Sequence, residues 1–336
     1  MWRAFTARRI AAAAAYGGGG ITALGGLTFG LVVAEAKLAR RLITATPGAE
    51  PPVADGLYGG THGGAPLSLV MLGDSTAAGL GVHRPDETPA ALLATGLSAI
   101  ADRPVRLTNV ARSGSRSDAL SGQVDRAVQT RPDLAVIMVG GNDVTGRVPP
   151  AESVRHLGQA VERLRAAGSE VVVGTCPDLG TVKPLMQPLR YIARRASRQL
   201  AAAQTIAVVE RGARSVSLGD LLGREFSADP RSMFSEDRYH PSARGYASAC
   251  AALLPSMAAA LGLEPEVAGR PADILPVYLA AAEAAEVSGT EVHEVSDGGR
   301  TAPPARGPRG RWATLLRRRT ASAGDAAATP AAPGPA

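Results

Sequence analysis

Apolar and polar positions alternate along the middle of this chain in two periods. LSLVML (67–72), VRLTNV (105–110), LAVIMVG (134–140), EVVVGT (170–175) and SVSL (215–218) are short runs with the length and β-branched character of strands. Between them, 88–102, 117–129, 151–168 and 189–212 carry apolar residues at helical spacing, and a last helical pattern covers 241–261. Several strand runs, LAVIMVG above all, are apolar on both faces. Such strands belong to a sheet covered by helices on both sides. Five strands alternating with helices predict an α/β fold with a mostly parallel sheet. Ligands on such sheets sit beyond the carboxyl ends of the strands, so chemistry is sought in the turns that follow them.

The pattern breaks at both ends. Residues 10–34 are an uncharged run flanked by Arg3, Arg8 and Arg9 before it and Lys37, Arg40 and Arg41 after it. This length suffices to cross a hydrocarbon layer of roughly 30 Å. Residues 1–45 therefore read as a membrane-anchor or signal-like segment, with Ala34-Glu35-Ala36 as a conceivable cleavage site. A soluble helical extension of a cytoplasmic protein is the alternative, and the similar flanking charge leaves orientation open. Residues 46–65, rich in Pro and Gly, read as a linker ahead of a domain at 66–263. Residues 264–295 have room for one extra helix. Residues 296–336 are expected to be a disordered basic tail, in which 306–320 packs six arginines around Trp312, Leu315 and Leu316. That tail (306–319) is either a solvated run or a peripheral contact with anionic lipid.

The formal charge of +6 is carried almost wholly by arginine. Aromatic residues are only 4%, too few for the stacking surfaces of a single-strand binder, so no nucleic-acid partner is expected. Cys176 and Cys250 cannot build a disulfide framework and are expected as buried thiols.

Four short blocks carry candidate chemistry. Gly73-Asp74-Ser75 ends the first strand, where Ser75 is either a helix cap or a nucleophile at a helix start. DRYH (237–240) places Asp237 three residues before His240, the acid–base pair that a nucleophilic serine requires, and Pro241 suits a helix start. Asn142 in VGGNDV is an Asx turn or an oxyanion donor. Gly114 in NVARSGSRSDAL is a loop glycine or a second donor through its backbone N–H. His83, just past the first block, is a candidate for the pocket rim. No phosphate loop, dinucleotide fingerprint, G-x-S-x-G elbow or metal-spaced His/Cys cluster is present.

Taken together and in this order, GDS (73–75), Gly114, GGND (140–143) and DRYH (237–240) resemble the SGNH/GDSL hydrolase superfamily, in its small esterase-like branch. The resemblance covers about 66–262, and Thr76 stands where the motif name has Leu. It implies a flavodoxin-like three-layer αβα sandwich, no cofactor, no metal, and cleavage of a small acyl ester through an acyl-enzyme. In that scheme Ser75 attacks, His240 takes its proton and Asp237 orients His240. The N–H groups of Ser75 and Gly114 and the Asn142 side chain hold the oxyanion. Asp74 anchors the nucleophile turn and Asp143 fixes the loop presenting Asn142. Two alternatives stand beside esterase. One is acyl transfer or deacetylation on a membrane or envelope glycan or lipid. The other is a membrane-tethered binding protein without turnover.

Overall fold

The computed structural model describes residues 30–38, 50–219, 226, 229–263, 272–294, 306–307 and 310–317, with Val32, Lys183 and Ser288 excepted. The expected strands form, and their order explains the site. The parallel strands β2 (Leu67–Gly73), β3 (Val105–Asn109), β4 (Leu134–Met138), β5 (Glu170–Gly174) and β6 (Arg214–Val216) lie in the order β3-β2-β4-β5-β6. The chain starts in β2, moves outward to β3, then returns past β2 to β4. The gap between the carboxyl ends of β2 and β4 is thus the point where the winding reverses, and the place where a doubly wound sheet holds its ligand.

Both faces are covered because both faces of β2 and β4 are apolar. One core packs Leu69, Met71, Val136 and Met138 against α2 (Pro89–Ala101) and α8 (Ala243–Ala260). The opposite core packs Val70, Leu72, Ala135 and Ile137 against α3 (Leu120–Ala127), α5 (Pro150–Ala166) and Val208 of α6 (Leu189–Val209). The helix starts are locally encoded. Pro89 opens α2 behind Thr88, whose hydroxyl accepts from the Ala91 N–H at 3.3 Å. Cys176 and Cys250 are both buried and free, and burial pushes both thiols up.

Four features at the edges differ from the expectations. Within the 46–65 stretch read as a linker, β1 (Gly56–Tyr58) pairs antiparallel with β3, and Asp55 Oδ1 accepts from Asn109 N at 2.8 Å. The 264–295 segment holds more than one helix: β7 (Ala272–Pro276), α9 (Val277–Ala284) and β8 (Thr290–Glu294). The 296–336 segment, read as disordered, contains β9 (Arg306–Gly307) and β10 (Gly310–Arg317). β10 lies between β8 and β7, and β8 runs antiparallel beside β6, so the sheet is mixed, with ten strands among the described residues. Composition hides β10, because a two-residue period sits inside an arginine-rich run. Ala313 and Leu315 bury against α9 and Val292, which corrects the reading of Leu315 as a lipid contact. Finally, Pro241 does not start a helix. It bridges Phe234 in an antiparallel pair, and Ser242 caps α8.

No helix among the described residues is long and apolar enough to cross a membrane. Most of the 10–34 run, residues 10–29, lies outside the described residues. Its far end does have a place: Glu35 is buried, and its carboxylate accepts from the Leu189 N–H at the start of α6 at 2.9 Å.

Candidate active site

The turn that carries Ser75 is built by close approach. Gly73 has φ of 139°, and a Cβ there would lie 1.9 Å from the Met138 carbonyl oxygen of β4. Only glycine lets β2 leave the sheet this tightly. Asp74 then caps the single turn α1 (Ser75–Ala78), its Oδ1 accepting from Thr76 N at 2.9 Å. Ser75 is the first helical residue, where backbone N–H groups lack partners inside the helix. Burial dominates the Asp74 carboxyl and lifts it to about 6, against the lowering effect of the Thr76 N–H and of nearby His240.

The small residues after Ser75 have a second purpose. Gly81, at φ 105°, is where the His240 loop touches down. A Cβ there would sit 2.8 Å from the His240 Cβ and 2.8 Å from the Pro241 carbonyl oxygen. Tyr246 of α8 fastens the same segment by donating to the Leu80 carbonyl at 2.6 Å. This docking brings two sites 165 residues apart into contact: Ser75 Oγ lies 2.9 Å from His240 Nε2. His240 Nδ1 lies 2.5 Å from Asp237 Oδ2, while Asp237 Oδ1 accepts from Ser235 Oγ, Tyr239 N and His240 N at 2.6, 2.8 and 2.9 Å. Partial burial works against the Asp237 charge. The hydrogen bonds from His240 and Ser235 outweigh it and hold this carboxyl well below the usual range. Asp237 is therefore held as an anion.

Asn142 and Asp143 follow β4 in the short helix α4 (Gly141–Thr145). Asn142 Nδ2 donates to the Ser115 carbonyl at 3.0 Å. Asp143 is buried, and both its oxygens accept from Ser117 N at 3.2 Å, so it holds the loop after β3. Burial raises the Asp143 carboxyl despite those bonds. Gly114 lies on this loop at φ 78°, exposed and outside the cleft lining, so the structure does not bring it together with the other site residues. His83 is exposed and does not border the cleft.

Two buried glutamines carry no sequence motif and went unpredicted. The Gln123 carboxamide accepts from Gly73 N at 2.7 Å and donates to Gly73 O at 2.8 Å and to Ser115 Oγ at 3.3 Å. It acts as a substitute strand, tying the Ser75 turn to the Asn142-bound loop. Gln204 does the same between Val139 O (2.9 Å) and Cys176 N (2.7 Å). Their signal in the sequence is only a polar residue on the apolar face of a helix.

Ser75, His240 and Asn142 open on a cleft of about 740 Å³, its mouth included, at the ends of β2, β4, β5 and β6. Apart from these three residues its walls are largely apolar: Met138, Val139, Pro177, Leu179, Val182 and Leu218. Tyr239 also lines it, edge-on to the His240 ring at 4.9 Å. The described residues contain no group of three or more His, Cys, Asp or Glu placed to hold a metal.

Residues 71–248 match the model of the GDSL-like lipase/acylhydrolase family. The chain belongs to this family. It is 44% identical over 232 residues to the GDSL-like esterase Rv1075c of Mycobacterium tuberculosis, an alignment covering 65% of this chain and 73% of that protein. Among solved structures, TesA is similar at 26% identity and a TM-score of 0.43, over 59% of this chain and 99% of that one. Axe2, an acetylxylan esterase from Geobacillus stearothermophilus, is similar at 19% identity and a TM-score of 0.45, over 60% of this chain and 96% of that one. The protein is a carboxylic ester hydrolase of the SGNH/GDSL type.

Proposed function

We propose that this hydrolase is a serine esterase that cleaves small esters with an apolar acyl group through an acyl-enzyme on Ser75. The observation that carries the reading is the continuous relay from Ser75 Oγ to His240 (2.9 Å) to Asp237 (2.5 Å) at the floor of an apolar cleft. In the first half-reaction Ser75 Oγ bonds to the ester carbonyl carbon as its proton passes to His240 Nε2. Collapse of the tetrahedral intermediate breaks the bond to the alcohol, which leaves with the proton that His240 returns. In the second half-reaction water gives its proton to His240, attacks the acyl carbon and frees the acid, restoring Ser75. The positive charge that His240 gains with the proton is matched by Asp237 opposite, which stays ionised and fixes the imidazolium.

The oxyanion falls to the Ser75 N–H at the start of α1 and to Asn142. One amide hydrogen of Asn142 is used on Ser115 O, and its geometry leaves the other for substrate. Gly114, exposed and outside the cleft lining, is not assigned a donor role. Met138, Leu179, Val182 and Leu218 supply the acyl wall. Short p-nitrophenyl acyl esters test the reading. The wild type should hydrolyse them, and Ser75→Ala and His240→Ala should each reduce kcat by about a thousandfold or more. Undiminished turnover in Ser75→Ala would overturn it.

A further inference from the structure

One surface near the cleft gathers several exposed apolar side chains. Met186, Tyr191 and Ile192, on and just before the first turns of α6, are 46–59% exposed. Leu31 and Leu38, on the helical stretch at 30–38, are 51% and 43% exposed. The two groups meet because Glu35, buried between them, accepts from Leu189 N. Leu31 and Leu38 stand four residues before and three after Glu35, so they share the helical face that touches α6.

The charge along this surface is mainly positive, although Asp178 pairs with Arg194 and Arg198, and Glu286 with Arg198. From 179 to 209 the sequence contains no Asp or Glu but holds Lys183, Arg190, Arg194, Arg195 and Arg198. Arg194 and Arg195 are exposed and follow Tyr191 and Ile192 at helical spacing. Lys37 is exposed beside Leu38, and Glu35 is the sole acid of the segment between residues 1 and 49. An apolar patch with an aromatic and a basic rim suits the boundary of an anionic bilayer, where arginine heads reach phosphate while apolar bodies enter the acyl boundary. A second protein of this chain would bring the same excess of positive charge against it. Glu35, which meets α6 here, directly follows the uncharged run 10–34 in the sequence.

The surface is continuous with the cleft wall. The segment that carries Met186 and Tyr191 begins with Leu179 and Val182, which line the cleft. We propose that the face formed by 30–38 and 186–195 seats the enzyme on an anionic bilayer, and that its substrates are esters drawn from that bilayer past Leu179 and Val182. The substrate claim rests on the ester-hydrolase reading above; the surface claim does not.

The test uses the full chain with two esters. One is soluble p-nitrophenyl acetate. The other is p-nitrophenyl palmitate held in phosphatidylcholine vesicles, with or without phosphatidylglycerol. Tyr191→Glu with Ile192→Glu is expected to reduce hydrolysis of the bilayer ester about tenfold and leave the acetate within about twofold. Arg195→Glu is expected to erase the advantage of phosphatidylglycerol vesicles. Equal losses on both esters, or an unchanged bilayer rate, overturn the proposal. If the wild type hydrolyses neither ester, the esterase reading fails by itself. Vesicle sedimentation then decides the surface, with equal binding by wild type and variants counting against it. Variants that turn a dimer into a monomer while binding vesicles unchanged would assign the face to self-association and also overturn the proposal.

Discussion

Asp74 is the residue whose environment makes the sharpest demand. Its carboxyl ordinarily titrates at 3.8 and is raised to about 6 in the fold. Between these values the folded state holds more protons than the unfolded chain, so stability falls as pH rises from about 4 to about 6 and stays lower above. Asp74→Asn keeps an acceptor for Thr76 N and removes the charge. Its stability relative to the wild type should therefore be greater at pH 7.5 than at pH 4, by up to about 3 kcal/mol. Denaturant unfolding at both values checks this, and an equal difference at both would contradict it. Gln123 makes a different demand. Its carboxamide holds Gly73 and Ser115 without touching the cleft. Gln123→Met should lower kcat by roughly tenfold to a hundredfold through misplacement of Ser75, with KM nearly unchanged. A loss confined to KM would show that Gln123 shapes substrate binding instead.

Among the elements, the parallel core was legible in the chain and the antiparallel edge was not. β2 and β4 are buried on both faces, so they read as continuous apolar runs bounded by turn residues. The turn at Ser75 was legible because Gly73 and Gly81 are forced by contacts at 1.9 and 2.8 Å, and such contacts leave glycine as a mark in the sequence. DRYH could be read because one side chain, Asp237, organises its own loop. Gln123 and Gln204 left no mark, since a buried carboxamide looks like any polar residue until its partners, 50 and 65 residues away, are known. β10 was masked by its arginines. Its contribution is measurable: Leu315 is fully buried against α9, and Leu315→Ala should cost about 2–5 kcal/mol in denaturant unfolding. A change below about half a kcal/mol would mean that β10 is not part of the stable core.

On the scale of the whole molecule, a doubly wound hydrolase core is extended at both edges of its sheet. β8 covers the edge of β6, and Glu291 on it is buried against Arg214 at 2.5 Å and Ser256 at 2.8 Å. A chain ending at Leu263 would leave β6 with unpaired backbone groups and Arg214 without this carboxylate. Exposed strand edges template association. The truncated chain should accordingly aggregate or self-associate in sedimentation velocity where the full chain does not, and a well-behaved truncated monomer would show that the edge needs no cover.

The central claim is that Ser75 is the nucleophile of an ester hydrolase, activated by His240. Mass spectrometry after reaction with a fluorophosphonate tests it most directly. A single adduct should form on the peptide containing Ser75, much more slowly in His240→Ala, and its formation should abolish ester hydrolysis. Ester hydrolysis that survives full labelling of Ser75, or an adduct on another residue that abolishes activity, would contradict it.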